Sequence, residues 1–170
     1  MTRIAPPPGL VLDRLLGQWQ IIATTLPFWR TRSEPTVTYT QKPDGRWLDE
    51  VRFIGPPFKR RWHVVGENTV VSPPGRFQWR GTGLLKIATS EWCVVAIDPD
   101  YRWAATWFSR VSYGITPEGW DLYARDPSFP ESEARAAMKT LMDTAQPPRD
   151  GWFFTTSAAR AYGGRDVPTG

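Results

Sequence analysis

Apolar and β-branched residues recur along this chain in short runs, about one run in every dozen residues, and segments containing Pro or Gly separate them. This spacing is typical of an all-β sandwich or barrel. Strands are predicted over residues 17–25, 36–41, 46–54, 59–65, 69–71, 77–89, 92–97, 103–113, 120–125 and 152–156. Lys42-Pro43-Asp44-Gly45 predicts a tight turn, because Asp and Gly tolerate the positive φ that hairpin turns require.

A single helical pattern follows the strand that ends near residue 125. Pro130 and the acidic residues at 131 and 133 are typical of a helix start, and Pro147-Pro148 ends the pattern. Apolar residues recur between these points with helical spacing, at Ala134, Ala137, Met138, Leu141 and Met142. Because such a stripe normally faces a core, we expect this helix to pack against the wall of the β-structure.

The length of 170 residues fits one domain. The composition, 41% hydrophobic and 22% charged, is also ordinary for a globular protein. We expect residues 1–10 to form an extended N-terminal arm, residues 11–160 to form the single domain, and residues 161–170 to form a flexible tail.

Aromatic residues are unusually abundant, with 10 Trp, 8 Phe and 5 Tyr. Tryptophan packs well in the core of a barrel, and this role is favoured for any single Trp. Tryptophan also lines pockets for flat or aromatic ligands. Across ten such residues, we expect some to reach a cavity.

The net charge of +4 and the isoelectric point of about 9.5 come from scattered residues. Lys59-Arg60-Arg61 is the only basic run. A nucleic-acid interface requires a larger basic patch with interleaved aromatic residues, so no nucleic-acid partner is expected. An anionic small ligand, such as a carboxylate or a phosphate, suits this charge balance better.

The chain has one cysteine, Cys93, so no intramolecular disulfide is expected. This residue lies in an apolar strand, where a buried and unreactive thiol is the favoured state. The first residues lack the apolar core of a signal peptide, and no run of about 18 apolar residues occurs. These observations predict a cytoplasmic protein without an integral membrane segment.

Few residues carry obvious catalytic or metal chemistry. His63 is the only histidine, and a surface position is favoured for it, with a haem ligand as the alternative. A structural zinc site requires four N or S ligands, more than one His and one Cys supply. The chain also lacks a nucleophile motif and a phosphate-binding glycine loop. We therefore expect no catalytic residue, no cofactor and no metal.

Four segments nevertheless carry a family resemblance. They are Leu15-Leu16-Gly17-Gln18-Trp19, Val37-Thr38-Tyr39-Thr40 with Asp44-Gly45, Val94-Val95-Ala96-Ile97-Asp98-Pro99-Asp100-Tyr101-Arg102-Trp103-Ala104, and Leu122-Tyr123-Ala124-Arg125-Asp126-Pro127. Over residues 15–156 the chain resembles the lipocalins, most of all the bacterial lipocalin and apolipoprotein D group. The resemblance implies an eight-stranded antiparallel up-and-down β-barrel (calycin-like) with one C-terminal α-helix on its wall. It also implies that Arg125 stacks on Trp19 at the closed end.

The resemblance further implies a small hydrophobic ligand inside the barrel, among classes that range from fatty acids and retinoids to haem-like pigments and aromatic metabolites. The strand register that it implies, combined with side-chain alternation, selects the inward-facing residues. Thr36, Thr38 and Thr40 are expected to face inward on one strand. The expected ligand-binding residues are Phe28, Trp29, Thr38, Trp47, Val51, Phe53, Asp121 and Tyr123. A register error of one residue would reverse these assignments.

Asp121 and Asp49 stand out among the inward positions, because an unpaired carboxylate inside an apolar barrel is costly. Asp121 can pair with an inward Arg, bind a hydroxyl or amine of a ligand, or act as an acid or base. The alternative is that both residues face solvent after a register shift.

Three functions remain open at this point. The first is a carrier or sequestering protein for a small hydrophobic molecule, as a monomer or a homodimer. The second is an isomerase or cyclase on the same barrel, with Asp121 and Asp49 as acid and base. The third is an interaction surface, including weak contact with a membrane surface, formed by the Phe28-Trp29 loop with Arg30 and Arg32.

Overall fold

The computed structural model describes residues 4–72, 74–114 and 116–167 of the chain. The strands are β1 (Gly17–Thr24), β2 (Ser33–Gln41), β3 (Trp47–Gly55), β4 (Arg60–Val71), β5 (Arg76–Gly81), β6 (Thr89–Ile97), β7 (Trp103–Phe108), β8 (Gly119–Ala124) and β9 (Phe153–Phe154). The helices are α1 (Glu131–Thr144) and α2 (Thr156–Tyr162). Short 3₁₀ turns cover Leu12–Leu15, Pro27–Thr31, Gly83–Leu85 and Ser112–Gly114.

Strands β1 to β8 form a closed antiparallel up-and-down barrel, which confirms the predicted fold class. Each strand pairs with the next in sequence, and β1 closes the barrel by pairing with both β8 and β2. The pairing of β1 with β2 covers only the first half of β1, from Gly17 to Gln20. The short strand β9 pairs with the other half, at Ala23 and Thr24. One edge of β1 therefore pairs with β2 in its first half and with β9 in its second half.

The two ends of the barrel differ. One end, the closed end, is covered by the Leu12–Leu15 turn, which places Leu15 in the interior. The Arg125 guanidinium lies 3.6 Å from the centre of the Trp19 ring there, as the resemblance implies. Arg125 also donates hydrogen bonds to the carbonyls of Gln18, at 3.1 Å, and Arg14, at 2.6 Å. The loops β1–β2, β3–β4, β5–β6 and β7–β8 surround the opposite end, the open end.

The apolar residues form two cores, one on each side of the barrel wall. The interior core contains Trp19, Val37 and Trp92. The outer core lies between the wall and the helices, and the predicted stripe of α1 contributes Ala134, Ala137, Met138 and Leu141, all buried, with Met142 partly buried beside it. The predicted packing of this helix on the wall is therefore confirmed.

The predicted inward orientation of Thr36, Thr38 and Thr40 is wrong by one residue. The β2–β3 loop has five residues, because Gln41 pairs with Trp47 and Arg46 belongs to the loop rather than to a strand. Tyr39 therefore lies opposite Asp49, and Val37 opposite Val51. Since paired residues share a face, Val37 and Tyr39 point inward, and the three threonines lie on the outer face of the barrel.

Two other boundaries differ from the sequence predictions. Gly66-Glu67-Asn68 is not a turn but the middle of one long strand, β4. A second helix, α2, follows β9 and extends to Tyr162, and the carbonyl of Arg165 accepts a hydrogen bond of 2.8 Å from the Phe154 amide. The chain is therefore still attached to the barrel past residue 160, where the domain was predicted to end, while residues 1–3 and 168–170 of the predicted arm and tail lie outside the described residues.

Candidate ligand-binding site

The barrel encloses a cavity of about 160 Å³ in the half that faces the open end. Every barrel strand except β4 contributes to its lining, with further residues from the loops of the open end. The lining residues are Ile21, Trp29, Val37, Tyr39, Asp49, Val51, Trp79, Ser90, Trp92, Thr106, Phe108, Val111, Asp121 and Tyr123. The cavity is thus mainly aromatic and aliphatic, with a few polar groups.

Stacked aromatic rings fill the half of the barrel below the cavity. The Trp92 ring stacks between Tyr39, at 5.2 Å, and Phe77, at 4.1 Å, with interplanar angles of 12° in both pairs. Trp47 packs against this column from β3, 5.0 Å from Phe77. This packing sets the floor of the cavity and keeps the cavity small.

Asn68 joins the floor to one of the buried acids. Its side-chain amide donates a hydrogen bond to Asp49 Oδ2 at 3.1 Å. Its carbonyl oxygen accepts one from the Trp92 indole at 2.8 Å. Asn68 is fully buried. The two hydrogen bonds, from Trp92 to Asn68 and from Asn68 to Asp49, therefore hold the Asp49 carboxyl group in a fixed position.

Asp121 lies in the opposite wall of the cavity. The strand register places it between Thr24 of β1 and Thr106 of β7. It is 3% exposed, and its Oδ1 atom has no hydrogen-bond partner among the described residues. Burial raises the pKa of this carboxyl group to about 7, and the Thr24 hydroxyl opposes the shift. Burial likewise raises the pKa of Asp49 to about 7 against the opposing hydrogen bond from Asn68.

No basic side chain balances these acids within the cavity, since the lining residues described above include no Lys, Arg or His. The two tyrosines of the lining stay neutral, because burial raises the pKa of Tyr39 and of Tyr123 above its ordinary value. The cavity therefore holds two carboxyl groups that change charge near neutral pH, and two phenol groups that do not.

The β1–β2 loop covers part of the open end, but its aromatic residues are not exposed. Trp29 is buried and lines the cavity, and Phe28 and Phe53 pack edge-on against it, at 4.8 and 5.5 Å. Arg32 lies over the Phe28 ring at 3.6 Å and donates a hydrogen bond to the Phe28 carbonyl. These contacts hold the loop against the barrel.

The predicted ligand-binding residues thus fall into two groups. Trp29, Val51, Asp121 and Tyr123 line the cavity, as does Asp49. The other four do not line it. Phe28 and Phe53 pack against Trp29, and Trp47 packs against Phe77 below the cavity. Thr38 is on the outer face of the barrel.

Sequence reasoning missed most of the polar and aromatic lining. Tyr39 was missed because the predicted register of β2 was wrong by one residue. No inward face was predicted for β5, β6 or β7, which contribute Trp79, Ser90, Trp92, Thr106 and Phe108. Alternation along β6 would have grouped Ser90, Trp92 and Val94 on one face.

The remaining candidate residues lie outside the cavity. His63 is on the outer surface of β4, with its Nε2 atom 2.8 Å from Glu50 Oε1. Cys93 is buried in the outer core, where burial raises the pKa of its thiol to about 11. The described residues contain no cluster of three or more His, Cys, Asp or Glu able to hold a metal ion. Over the same residues, no helix is long and apolar enough to span a bilayer.

The sequence matches no family model and no curated protein. The molecule is therefore defined by its own fold and site: an eight-stranded up-and-down β-barrel with a small aromatic cavity that contains two buried carboxyl groups.

Proposed function

We propose that this chain is a lipocalin-like binding protein that encloses a small hydrophobic molecule within its barrel, as a carrier or a sequestering protein. The observation that carries the proposal is the cavity, whose lining is dominated by Trp, Tyr, Phe and aliphatic residues. Ligand sites in proteins are typically such concave, apolar cavities with a few polar groups that orient the ligand. The motifs shared with the lipocalins support the same function.

The cavity volume narrows the range of ligands. At about 160 Å³ it is close to the engineered cavity of about 150 Å³ in another protein that binds benzene. A compact aromatic or branched aliphatic molecule fits this space. The larger members of the ligand classes that the resemblance implies, such as haem-like pigments, exceed it.

Native mass spectrometry of freshly purified protein, followed by organic extraction, tests this proposal. We expect a retained small molecule of defined mass, or quenching of tryptophan fluorescence when compact aromatic compounds are added. Trp29 and Trp92 both line the cavity and would report such binding. A folded barrel that retains nothing and shows no quenching with any compact apolar compound would contradict the proposal.

A second function, an isomerase or cyclase, is favoured by one specific observation. Asp121 and Asp49 line the same cavity, and burial raises the pKa of each to about 7, near the value at which a carboxyl group is most effective as a general acid or base at neutral pH. Compounds released from the native protein can be incubated with wild-type protein and with Asp121→Asn. Conversion by the wild type and loss of conversion in the variant, with binding retained, would establish the enzyme.

A further inference from the structure

Two unpartnered carboxylate oxygens belong to residues that line the cavity, and they define its chemical preference. They are Oδ1 of Asp49 and Oδ1 of Asp121. Among the described residues, the hydroxyl of Thr106, directly opposite Asp121 on β7, has no hydrogen-bond partner within normal geometry either. Both acids are more than nine-tenths buried. Buried acceptors without a donor are costly, so a ligand that supplies N–H or O–H groups gains more here than one without them.

The negative charge of the two acids favours a cationic ligand over a neutral or anionic one. Asp121 is faced by Thr24 from β1, Thr106 from β7 and Tyr123 on its own strand. The Tyr39 hydroxyl on β2 interacts with that of Tyr123, and Asp49 on β3 is the second acid of the lining. None of these groups is a cation. An anionic ligand, which the net charge of the chain favours, would therefore meet two acids and no counter-ion. A cationic ligand would supply the missing charge and the missing donors together.

The aromatic lining of the cavity also favours a cationic ligand. Tyr39, Trp92 and Tyr123 present rings to the cavity, and aromatic rings attract an organic cation in a site that excludes water. The Trp29 indole N–H has no acceptor among the described residues. It would pair with an acceptor on another part of the ligand, because an ammonium group has none.

We propose, building on the proposed binding function, that the cavity accepts a compact organic amine as its ammonium ion. The charged nitrogen donates to Asp121 Oδ1 and to the Thr106 hydroxyl, Asp49 adds negative charge from the floor, and the apolar body of the ligand lies against the aromatic wall. Asp121 is the main counter-ion, because the Thr106 hydroxyl directly opposite it on β7 gives the ammonium group a second acceptor.

Three probes of similar size and different charge test this inference: 2-phenylethylamine, 2-phenylethanol and 3-phenylpropanoate. Calorimetry and tryptophan quenching at pH 8 are expected to show the amine binding at least about tenfold more tightly than the alcohol, and the carboxylate binding weakest. Amine affinity should fall by up to about tenfold per pH unit between pH 7 and pH 5, because the ammonium ion competes with a proton for Asp121. Amine binding at pH 6 should then release protons, measured as a dependence of the binding enthalpy on the buffer.

Asp121→Asn is the decisive variant, because it keeps the shape of the side chain and removes its charge. It should remove the preference for the amine and the proton release, and retain binding of 2-phenylethanol. Asp143→Asn, an exposed carboxylate on α1, is the matched control and should change neither. Equal affinity for the amine and the alcohol, or a preference for the carboxylate, would overturn the amine inference and leave the cavity function standing. Binding of none of the three by folded protein would overturn both.

An independent observation concerns the outer surface of the open end. Four large apolar side chains project there from three different loops, with exposures of 94% for Phe58, 101% for Leu84, 60% for Ile87 and 79% for Tyr113. We call these four residues the apolar rim. Soluble surfaces rarely gather such residues at one end without a binding role. The Phe28-Trp29 loop, which was expected to provide the exposed contact, is instead folded against the barrel.

Basic residues accompany the apolar rim. The loops of the open end carry Arg30, Arg32, Lys59, Lys86 and Arg110, against the single acid Glu118, and Arg60 and Arg61 begin β4 beside them. The surface therefore combines apolar side chains with a local excess of positive charge. This combination matches an anionic lipid surface, which offers acyl chains for the rim and phosphates for the basic groups.

We infer that the open end docks on anionic membranes through the apolar rim. Sedimentation should show binding to mixed phosphatidylcholine–phosphatidylglycerol vesicles that weakens with salt, and little binding to phosphatidylcholine alone. The double variant Phe58→Ser, Leu84→Ser should bind at least about tenfold less. Val11→Ser removes a half-exposed apolar residue at the closed end and serves as the control. Unchanged binding in the rim variant would overturn the inference, as would a wild-type dimer that the rim variant converts to monomer, because a second copy would then cover the rim.

Discussion

At the scale of single residues, the buried carboxyl group of Asp121 links the stability of the protein to pH. Its folded-state pKa, about 7, exceeds the unfolded value of about 3.9. The folded state therefore holds the extra proton, and this stabilisation is complete below about pH 4 and is lost as pH rises through 7. Above pH 7 the buried charge costs up to about 4 kcal/mol of unfolding free energy.

Asp121→Asn removes this cost. We expect urea denaturation at pH 8 to show the variant about 2–4 kcal/mol more stable than the wild type, and denaturation at pH 5 to show a much smaller difference. The free energy of unfolding of the variant should also depend less on pH in this range. An equal effect at both pH values would show that Asp121 does not titrate as the geometry indicates.

Arg125 provides a second single-residue prediction, at the closed end. Arg125→Ala removes the stacking on Trp19 and the hydrogen bonds to the carbonyls of Gln18 and Arg14, so we expect a loss of about 2–4 kcal/mol in the free energy of unfolding. Arg125→Lys should recover little, because an ammonium group lacks the planar shape that stacks on an indole. Binding of 2-phenylethanol at low temperature should be unchanged, since Arg125 does not line the cavity. A loss of binding in folded Arg125→Ala would contradict this separation of roles.

At the scale of elements, Gly66 shows why β4 is one strand and not two. The sequence Gly66-Glu67-Asn68 suggests a turn, but the glycine lies within the strand and makes room for a neighbouring side chain. A Cβ atom at this position would lie 2.0 Å from Nε1 of Trp79. The glycine therefore allows the Trp79 ring to lie across β4 while it lines the cavity from β5.

Gly66→Ala tests this role. The substitution should displace the Trp79 ring and cost about 1–3 kcal/mol, the usual range for overpacking. Near-UV circular dichroism and thermal denaturation would detect both effects. Gly164→Ala, which adds a Cβ with no neighbour within 4 Å, is the matched control and should change neither measurement. Equal melting temperatures for Gly66→Ala and the wild type would contradict the steric argument.

The same scale explains what the sequence could and could not predict. Each strand of the barrel carries β-branched or aromatic residues, and the stripe of α1 follows helical spacing, so an all-β sandwich or barrel with one helix was predictable from the pattern. The eight-stranded up-and-down barrel was implied only by the resemblance. The register of β2 was not, because Thr36-Val37-Thr38-Tyr39-Thr40 alternates two residue types that both suit a strand. A loop one residue longer than the Lys42–Gly45 turn then reversed the face. Asp49 and Val51 lie on the inward face that was expected for β3, although their partners on β2 differ from those expected.

At the scale of the whole molecule, stability and binding occupy different parts of one barrel. The closed end and the outer core under α1 hold the fold, while the half of the interior near the open end is left for a ligand. Inside the barrel, the aromatic column of Tyr39, Trp92 and Phe77 lies between the closed end and the cavity. The position of this column, more than the diameter of the barrel, limits the size of the ligand. An eight-stranded barrel otherwise has an interior that holds one small ligand.

Trp92→Ala should therefore extend the cavity toward the closed end by about 100 Å³, the order of the side-chain volume removed when the site does not collapse. The variant should bind N-phenyl-1-naphthylamine, which exceeds the wild-type cavity of about 160 Å³, and the fluorescence of that probe would rise on addition of the variant only. The enlarged cavity and the loss of the hydrogen bond to Asn68 should lower the free energy of unfolding by about 3–5 kcal/mol. Trp92→Phe keeps the stacking on Phe77 and should exclude the probe. Equal probe binding by the wild type, Trp92→Phe and Trp92→Ala would show that the aromatic column does not set the size of the site, because the barrel would then open in some other way to admit large ligands.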